Sequence, residues 1–306
     1  MRESHFWIAI MLVVILWTGN YTYLLSKQLD EPIFLKHYYE VWLEDRMPLE
    51  FYYLTNKSDH GTVNSISING IHLYTTQDGF MFYSEGPQFK EEYIHQHLKS
   101  FKVDFPEEQI PVKKRSEDEW IFTEFIPSFN NGGAFNHPVE IGYVNFRGDG
   151  QQESPFKFQM SGSSSYHRSQ YNMSAEETLL IEEIKVPLLD RFPGVVEVKI
   201  QDSKVKLPEK EEQEISDTIN VSWDKVPGTT LQELELPLEL KSGDWISIHT
   251  MVDERNTMFL RFNIWLKGKS SGGKTFEIPI QIQDEPNLDQ YDINDIISRQ
   301  EGGGTR

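Results

Sequence analysis

One segment points to the fold class: MFLRFNIWLKGKSSGGKTFEIPIQIQ, Met258–Gln283. In both halves of this segment every second side chain is apolar, and these positions are Leu260, Phe262, Ile264, Phe276, Ile278, Ile280 and Ile282. A period of two is typical of a β-strand with one buried face. The glycine-rich stretch between the halves favours a turn, so the segment predicts a hairpin between Met258–Lys267 and Thr275–Gln283.

Strand-like patterns recur along much of the rest of the chain. They cover Leu49–Tyr53, Val63–Ile68, Ile71–Tyr74, Phe80–Tyr83, Trp120–Ile126, Val139–Phe146, Phe156–Met160, Val196–Ile200 and Leu234–Leu240. Helical patterns do not alternate with these strands, which disfavours a parallel sheet built from βαβ units. The chain is therefore predicted to be mainly β, with two tandem antiparallel β-sandwich-like modules after an N-terminal transmembrane helix.

Composition and spacing divide the chain into six predicted parts. They are a signal anchor (1–25), a partly helical juxtamembrane connector (26–46), a first β-rich domain (47–160), a Ser/Gly/Asn-rich linker (161–175), a second β-rich domain (176–283) and an acidic flexible tail (284–306). Within the first domain, Pro87–Phe101 has aromatic and apolar residues at helical spacing. That stretch predicts a helix between strands.

The predicted turn at 268–275 also matches the P-loop pattern G-x-x-x-x-G-K-[ST]. A P-loop needs a helix after the loop, because the helix N-terminus helps to hold the phosphate. The sequence after Thr275 keeps the strand period, and Pro279 stands where the second helical turn would lie. Proline inside a helix costs about 3 kcal/mol or more. The match is interpreted as a hairpin turn, without ATP hydrolysis.

The N-terminal segment FWIAIMLVVILWTGNYTYLL, Phe6–Leu25, has no charged residue and the length of about 20 residues that a membrane-spanning helix needs. No small-x-small cleavage site follows it, which favours an uncleaved signal anchor over a cleaved signal peptide. A short leader before one early apolar segment favours an N-terminus inside and a C-terminal part outside the cell membrane. Membrane lipid is the predicted partner of residues 6–25.

Composition restricts the classes of partner and cofactor. The 306 residues carry a net charge of −19 and include no cysteine. The negative charge argues against nucleic acid, because binding to phosphates depends on Lys and Arg. The absence of cysteine excludes disulfides, cysteine nucleophiles and cysteine-ligated metal sites, and an exported chain without disulfides favours a bacterial source.

The sequence contains no ordered catalytic motif, so no catalytic residue, cofactor or metal site is predicted and the chain is expected not to be an enzyme. His95 and His97 flank one residue, but the helical period around them would turn their side chains apart. Trp245 and Trp265 are the candidate contacts to a partner protein or a sugar, provided that both are exposed on one sheet. The alternative is that both tryptophans fill the space between sheets.

These observations favour a membrane-anchored extracytoplasmic binding or scaffolding protein, such as an accessory subunit of a bacterial envelope, transport or secretion complex. Another envelope protein is the predicted partner. A module that binds cell-wall polysaccharide through exposed aromatic residues is the alternative. An extracytoplasmic hydrolase that uses scattered Asp and Glu residues is the third interpretation.

Overall fold

The computed structural model describes residues 3–43, 48–76, 89–113, 116, 118–132, 135, 137–148, 154–204 and 221–303, and the described chain is mostly β. Its α-helices are α1 (Glu3–Leu25), α2 (Pro187–Arg191) and α3 (Gln290–Gly303). Strands of the N-terminal half are β1 (Ile33–Phe34), β2 (His37–Trp42), β3 (Pro48–Asn56), β4 (Val63–Ile68), β5 (Ile71–Thr76), β6 (Glu91–Glu92), β7 (Gln96–Asp104), β8 (Glu119–Phe129) and β9 (Val139–Arg147). Strands of the C-terminal half are β10 (Phe156–Ser164), β11 (Arg168–Ala175), β12 (Leu179–Lys185), β13 (Val196–Asp202), β14 (Thr229–Thr230), β15 (Leu238–Leu240), β16 (Trp245–Val252), β17 (Phe259–Ser270) and β18 (Thr275–Asp284).

The strands form two sheets. The larger sheet has 13 strands in the order β1-β3-β7-β5-β4-β8-β9-β2-β17-β12-β15, with β18 beside β17 and β6 beside β7. The smaller sheet has five strands in the order β10-β11-β16-β13-β14. The hairpin predicted from Met258–Gln283 is confirmed as the antiparallel pair β17–β18.

Two hydrophobic cores fill this architecture. The first is built almost entirely from residues 34–146 and includes Phe51, Phe105 and Phe146. The second is built mainly from residues 156–282, where β12, β17 and β18 of the large sheet face the small sheet. The mainly β fold of two sandwich-like modules is confirmed, whereas the division of the chain into separate domains stays a prediction.

Strand β2 joins the two modules. It pairs in parallel with β9 over six residue pairs and with β17 over three, from His37↔Phe259 to Tyr39↔Arg261. The prediction of a partly helical connector is wrong here, because residues 37–42 form a strand in the interior of the large sheet. Five of the six side chains are buried, so both faces of β2 are covered and no alternation marks it in the sequence.

Gly142 permits the close approach of β2 and β9. Its φ is +99°, a value that side chains strongly disfavour. A Cβ atom at this position would lie 2.2 Å from the carbonyl oxygen of His37. The pairing between these strands therefore requires glycine at this position.

Three further expectations for local structure are wrong. The described part of the predicted helix at 87–101 contains β6 and the start of β7, because β7 pairs with β3 along its whole length. The predicted linker 161–175 lies in the hairpin β10–β11. The predicted flexible tail contains α3, and Leu288 and Ile293 from this region are buried in the first core. The strand expected at Phe80–Tyr83 lies outside the described residues.

Helix α1 is long and apolar enough to cross a membrane between His5 and Leu25, by length and composition. Its described side chains are exposed over the whole apolar stretch. Such a helix fits both a signal sequence and a membrane span.

Candidate functional site

A cleft of about 410 Å³ lies where the strands of the two modules meet. Glu50 and Tyr52 of β3 line one side, Phe259 and Arg261 of β17 line the other, and Tyr39 of β2 lies between them. The parallel contact of β2 with β17 places these distant parts of the chain together. A cleft between modules is a common position for a binding site.

Aromatic and charged groups are in direct contact within the cleft. The rings of Tyr52 and Phe259 stack at 3.7 Å between centroids. The ammonium group of Lys90 lies 4.5 Å from the centroid of the Tyr52 ring and forms an ion pair of 2.5 Å with Glu285. The Arg261 guanidinium lies 5.8 Å from the centroid of the Tyr39 ring. The cleft thus combines apolar surface with charges of both signs.

His167 and Asp284 form a largely buried pair at the edge of the cleft, which Asp284 lines. The imidazole Nδ1 lies 3.0 Å from both carboxylate oxygens, and the amide of Asn287 donates to Nε2 at 3.1 Å. Burial raises the pKa of Asp284, and the neighbouring His167 opposes that change. The pair holds the β10–β11 turn against the end of β18. Because both ring nitrogens of His167 have hydrogen-bond partners, neither is free to act as a base.

His37 is a second buried histidine between the modules. Its Nδ1 donates to the Ile141 carbonyl at 3.2 Å, and its Nε2 accepts the Tyr52 N–H at 3.1 Å. These two bonds specify the neutral ring with the proton on Nδ1. Burial lowers the pKa of His37 to about 3, so the ring is a neutral structural link between β2, β3 and β9.

A tryptophan corner, formed by Trp42, Trp265 and Arg147, lies on the opposite face of β2. The two indole rings are 5.0 Å apart, and the Arg147 guanidinium lies 5.0 Å from the ring of Trp265. Arg147 also donates to Glu119 at 2.8 Å. The arginine therefore packs on both indoles while its charge is paired near the surface.

Beneath the tryptophan corner lies the buried carboxyl group of Glu40. It accepts the Tyr38 hydroxyl at 2.7 Å and the backbone N–H of Asn263 at 2.9 Å. Burial raises the pKa of Glu40, and its hydrogen bonds partly offset this. In the pairing of β2 with β9, Glu40 lies opposite Asn145, and the side-chain amide of Asn263 donates to Glu40 at 3.3 Å.

Four polar atoms around this corner have no hydrogen-bond partner. They are the indole nitrogens of Trp42 and Trp265 and the side-chain oxygens of Asn145 and Asn263. All four atoms are inaccessible to solvent. An unpaired buried group costs about 1–3 kcal/mol, so the corner is a packed but energetically costly region.

The two predicted contact tryptophans lie on different sheets. Trp265 belongs to β17 of the large sheet and is 3% exposed, because Trp42 and Arg147 cover it. Trp245 begins β16 of the small sheet and is half-buried. The premise that both are exposed on one sheet is wrong, and a contact role stays a prediction for Trp245.

The P-loop match has a structural explanation at its first glycine. Gly268 lies inside β17, and a Cβ atom there would be 2.0 Å from the Leu180 carbonyl oxygen on β12. Close strand pairing therefore requires this glycine. Residues 271–274 form the turn, and a strand follows where a P-loop has a helix.

The two neighbouring histidines contact different groups. The ring of His97 stacks on Phe89 at 4.1 Å, whereas the ring of His95 meets that of Tyr23 in α1 at 6.0 Å. Among the described residues, no group of three or more His, Asp and Glu side chains is arranged to hold a metal ion.

Comparison with known proteins does not assign the chain to a family. No family model matches the sequence, and no curated protein matches it. Among solved structures, the Enterococcus faecalis MSCRAMM ACE, described as binding its ligands by the collagen hug model, has 7% identity and a TM-score of 0.21, with 85% of this chain and 96% of that chain covered.

Two further solved structures have similar scores. The collagen-binding domain of the Erysipelothrix rhusiopathiae surface protein RspB has 12% identity and a TM-score of 0.20, with 81% of this chain and 88% of that chain covered. The C-terminal domain of the Streptococcus pyogenes antigen I/II-family protein AspA has 7% identity and a TM-score of 0.18, with 83% and 98% covered. TM-scores near 0.2 support no conclusion about the ligand of this chain.

Proposed function

We propose that the chain is a membrane-anchored extracytoplasmic protein that binds or scaffolds another protein of a bacterial envelope complex. The observation that carries this proposal is the connection between α1 and the β-rich body. Gln96 donates its side-chain amide to the Lys27 carbonyl at 2.8 Å. Asn56 makes two further bonds of 2.8 Å, to the N–H and the carbonyl of Leu29.

These bonds hold the residues that follow α1 close to the β-rich body. They fix the residues that follow α1 against β3 and β7, and only residues 26–32 separate α1 from β1. Contact between Tyr23 of the last helical turn and His95 continues this interface into the helix itself. Of these contacts only that of Tyr23 lies in the helix, and it supports an uncleaved anchor, because a cleaved signal peptide needs no contact with the folded body.

Protease treatment of intact cells tests the location and the anchor together. We expect the β-rich body to be degraded without permeabilisation, and the isolated full-length chain to retain Phe6–Leu25 by mass spectrometry. Protection of the body until the membrane is opened would contradict the orientation. A mature N-terminus beyond Leu25 would contradict the anchor.

The cleft between the modules is the proposed contact with the partner protein. Three of its four carboxylates are engaged inside the chain, since Glu50 accepts the Ser100 hydroxyl at 2.6 Å, Asp284 contacts His167 and Glu285 contacts Lys90; Asp104 is the fourth. Engaged carboxylates favour binding over hydrolysis, which needs an available acid and base. The chain is therefore proposed to act without catalysis.

Site-specific photocrosslinking tests this contact. A photoreactive amino acid in place of Thr76, at the cleft, should give one stoichiometric adduct with a membrane partner. The matched control replaces Ser242, an exposed residue that does not line the cleft. Equal adducts from both positions, or none from Thr76, would contradict the proposed contact.

Polysaccharide binding is the second candidate, and the partial exposure of Trp245 favours it. Exposed aromatic faces stack on sugars, so Trp245→Ala should abolish retention of the chain on purified cell wall if this function holds. Retention that is unchanged in this variant would exclude a sugar contact at Trp245.

A further inference from the structure

The ends of a β-sheet expose unpaired backbone groups, and most sheet ends in this protein are short or interrupted. The terminal strands β1, β6 and β14 have two residues each, and β15 has three. Strand β18 is long, but it contains Pro279, which cannot donate a backbone hydrogen bond. Short strands and proline are features that prevent sheets from joining edge to edge.

Strand β10 is neither short nor interrupted by proline, and the two other edge-blocking features that it carries, Lys157 and a β-bulge between Phe158 and Met160, both precede Ser161. It has nine residues, contains no proline and ends the five-stranded sheet. Its described pairing is with β11 alone, and most of its side chains are exposed. This edge therefore offers a long row of backbone donors and acceptors for another strand.

Apolar side chains accompany this open edge. Phe158 is 56% exposed, and its ring contacts Tyr171 of β11 at 6.2 Å between centroids. Met160, which pairs with Asn172 after a β-bulge, is 44% exposed. Phe158 lies opposite the buried Met173 of β11, at the margin of the second core.

The charge at this edge favours a second copy of the same chain. Residues 154–166 include Lys157 but no Asp or Glu, although the whole chain has a net charge of −19. Two copies of so acidic a protein repel each other, and their contact is least unfavourable at a surface without carboxylates. The small residues at 161–164 (Ser-Gly-Ser-Ser) also leave room for two backbones to approach.

We propose that β10 pairs antiparallel with β10 of a second copy, which joins the two five-stranded sheets into one. The bulge between Phe158 and Met160 interrupts the regular edge, so the pairing is centred in the stretch after it, near Gly162. An antiparallel pair of identical strands is compatible with a twofold axis. This proposal goes beyond the proposed binding function and does not depend on the identity of the partner in the cleft.

Cysteine crosslinking tests this pairing directly, because the full chain contains no cysteine. Single variants Ser161→Cys, Gly162→Cys and Ser163→Cys are oxidised in detergent-solubilised full-length protein. We expect disulfide dimers at one of these positions and several-fold less at its neighbours, since a disulfide needs Cα atoms within about 4.4–6.8 Å. Gln281→Cys on the proline-containing edge of β18 is the matched control.

A second variant separates edge pairing from random collision. Phe158→Lys adds a charge to the edge and should lower the crosslinking yield several-fold at an unchanged melting temperature, because Phe158 is more than half exposed. The proposal is overturned if the β10 cysteines react with maleimide but crosslink no better than Gln281→Cys. Crosslinks in cells to a different protein, with none between copies, would also overturn it.

Discussion

Replacement of Gly142 by alanine tests whether the contact of β2 with β9 holds the modules together. The new Cβ atom would lie 2.2 Å from the His37 carbonyl oxygen and 2.7 Å from the His37 nitrogen. An ordinary contact begins at 3.4 Å, so the strands must separate by 1.2 Å (3.4 − 2.2). Overpacking of this kind costs about 1–3 kcal/mol. The positive φ adds about 1–2 kcal/mol for any side chain.

The expected loss for Gly142→Ala is therefore roughly 2–5 kcal/mol, a large share of the ~5–15 kcal/mol that stabilises a typical domain. Urea unfolding of the detergent-solubilised full-length chain measures it. Gly70→Ala is the matched control, because Gly70 has a φ of +85° but nothing within 4 Å of the added atom. If Gly142→Ala is no more destabilising than Gly70→Ala, the close approach of β2 and β9 is refuted.

Three further predictions concern buried groups. Burial lowers the pKa of His37 from 6.5 to about 3, so the stability that the neutral ring contributes is present above about pH 6.5 and is lost as the pH falls. The urea midpoint of the unmodified chain should therefore drop between pH 7 and pH 4.5. In His37→Gln the midpoint should drop less steeply. Gly268→Ala should lower the melting temperature, since the new Cβ atom would meet the Leu180 carbonyl oxygen at 2.0 Å. Because the segment 268–275 belongs to a hairpin and not to a P-loop, ATP should leave the melting temperature of the unmodified chain unchanged. Trp265→Ala should cost about 3–5 kcal/mol in urea unfolding and Trp245→Ala much less, because only the first is fully buried; equal losses would contradict this assignment.

Strands in which apolar and polar residues alternate could be predicted from the sequence, and strands without that alternation could not. The hairpin β17–β18 alternates in sequence, although only β18 keeps an accessible second face, since Asn263 and Trp265 of β17 are also buried. Strand β2 is buried on both faces and shows no such period, whereas β10 shows it over Phe156–Met160 and loses it in Ser161–Ser164. The first was predicted as a connector and the second runs into the predicted linker for this reason.

Most of the candidate site could not be predicted from the sequence, because it depends on pairing between distant strands. The tryptophan corner contains Trp265, which was predicted, but its neighbours Trp42 and Arg147 come from β2 and β9. Trp265 was a candidate contact only on the condition that it is exposed, and it is buried. The burial of Trp265 could not be predicted, because Trp42 and Arg147, which cover it, are distant in sequence.

The central position of β2 also determines when the protein can finish folding. This strand is among the first parts of the body to be synthesised, yet its residue His37 pairs with Phe259, which is close to the other end of the chain. Contacts between residues so far apart in sequence form slowly, because the loop between them must be closed first. During synthesis, the segment nearest α1 must therefore wait, unpaired on one side, until the last quarter of the chain has been made. A chain of this topology depends on protection from aggregation and proteolysis during that interval.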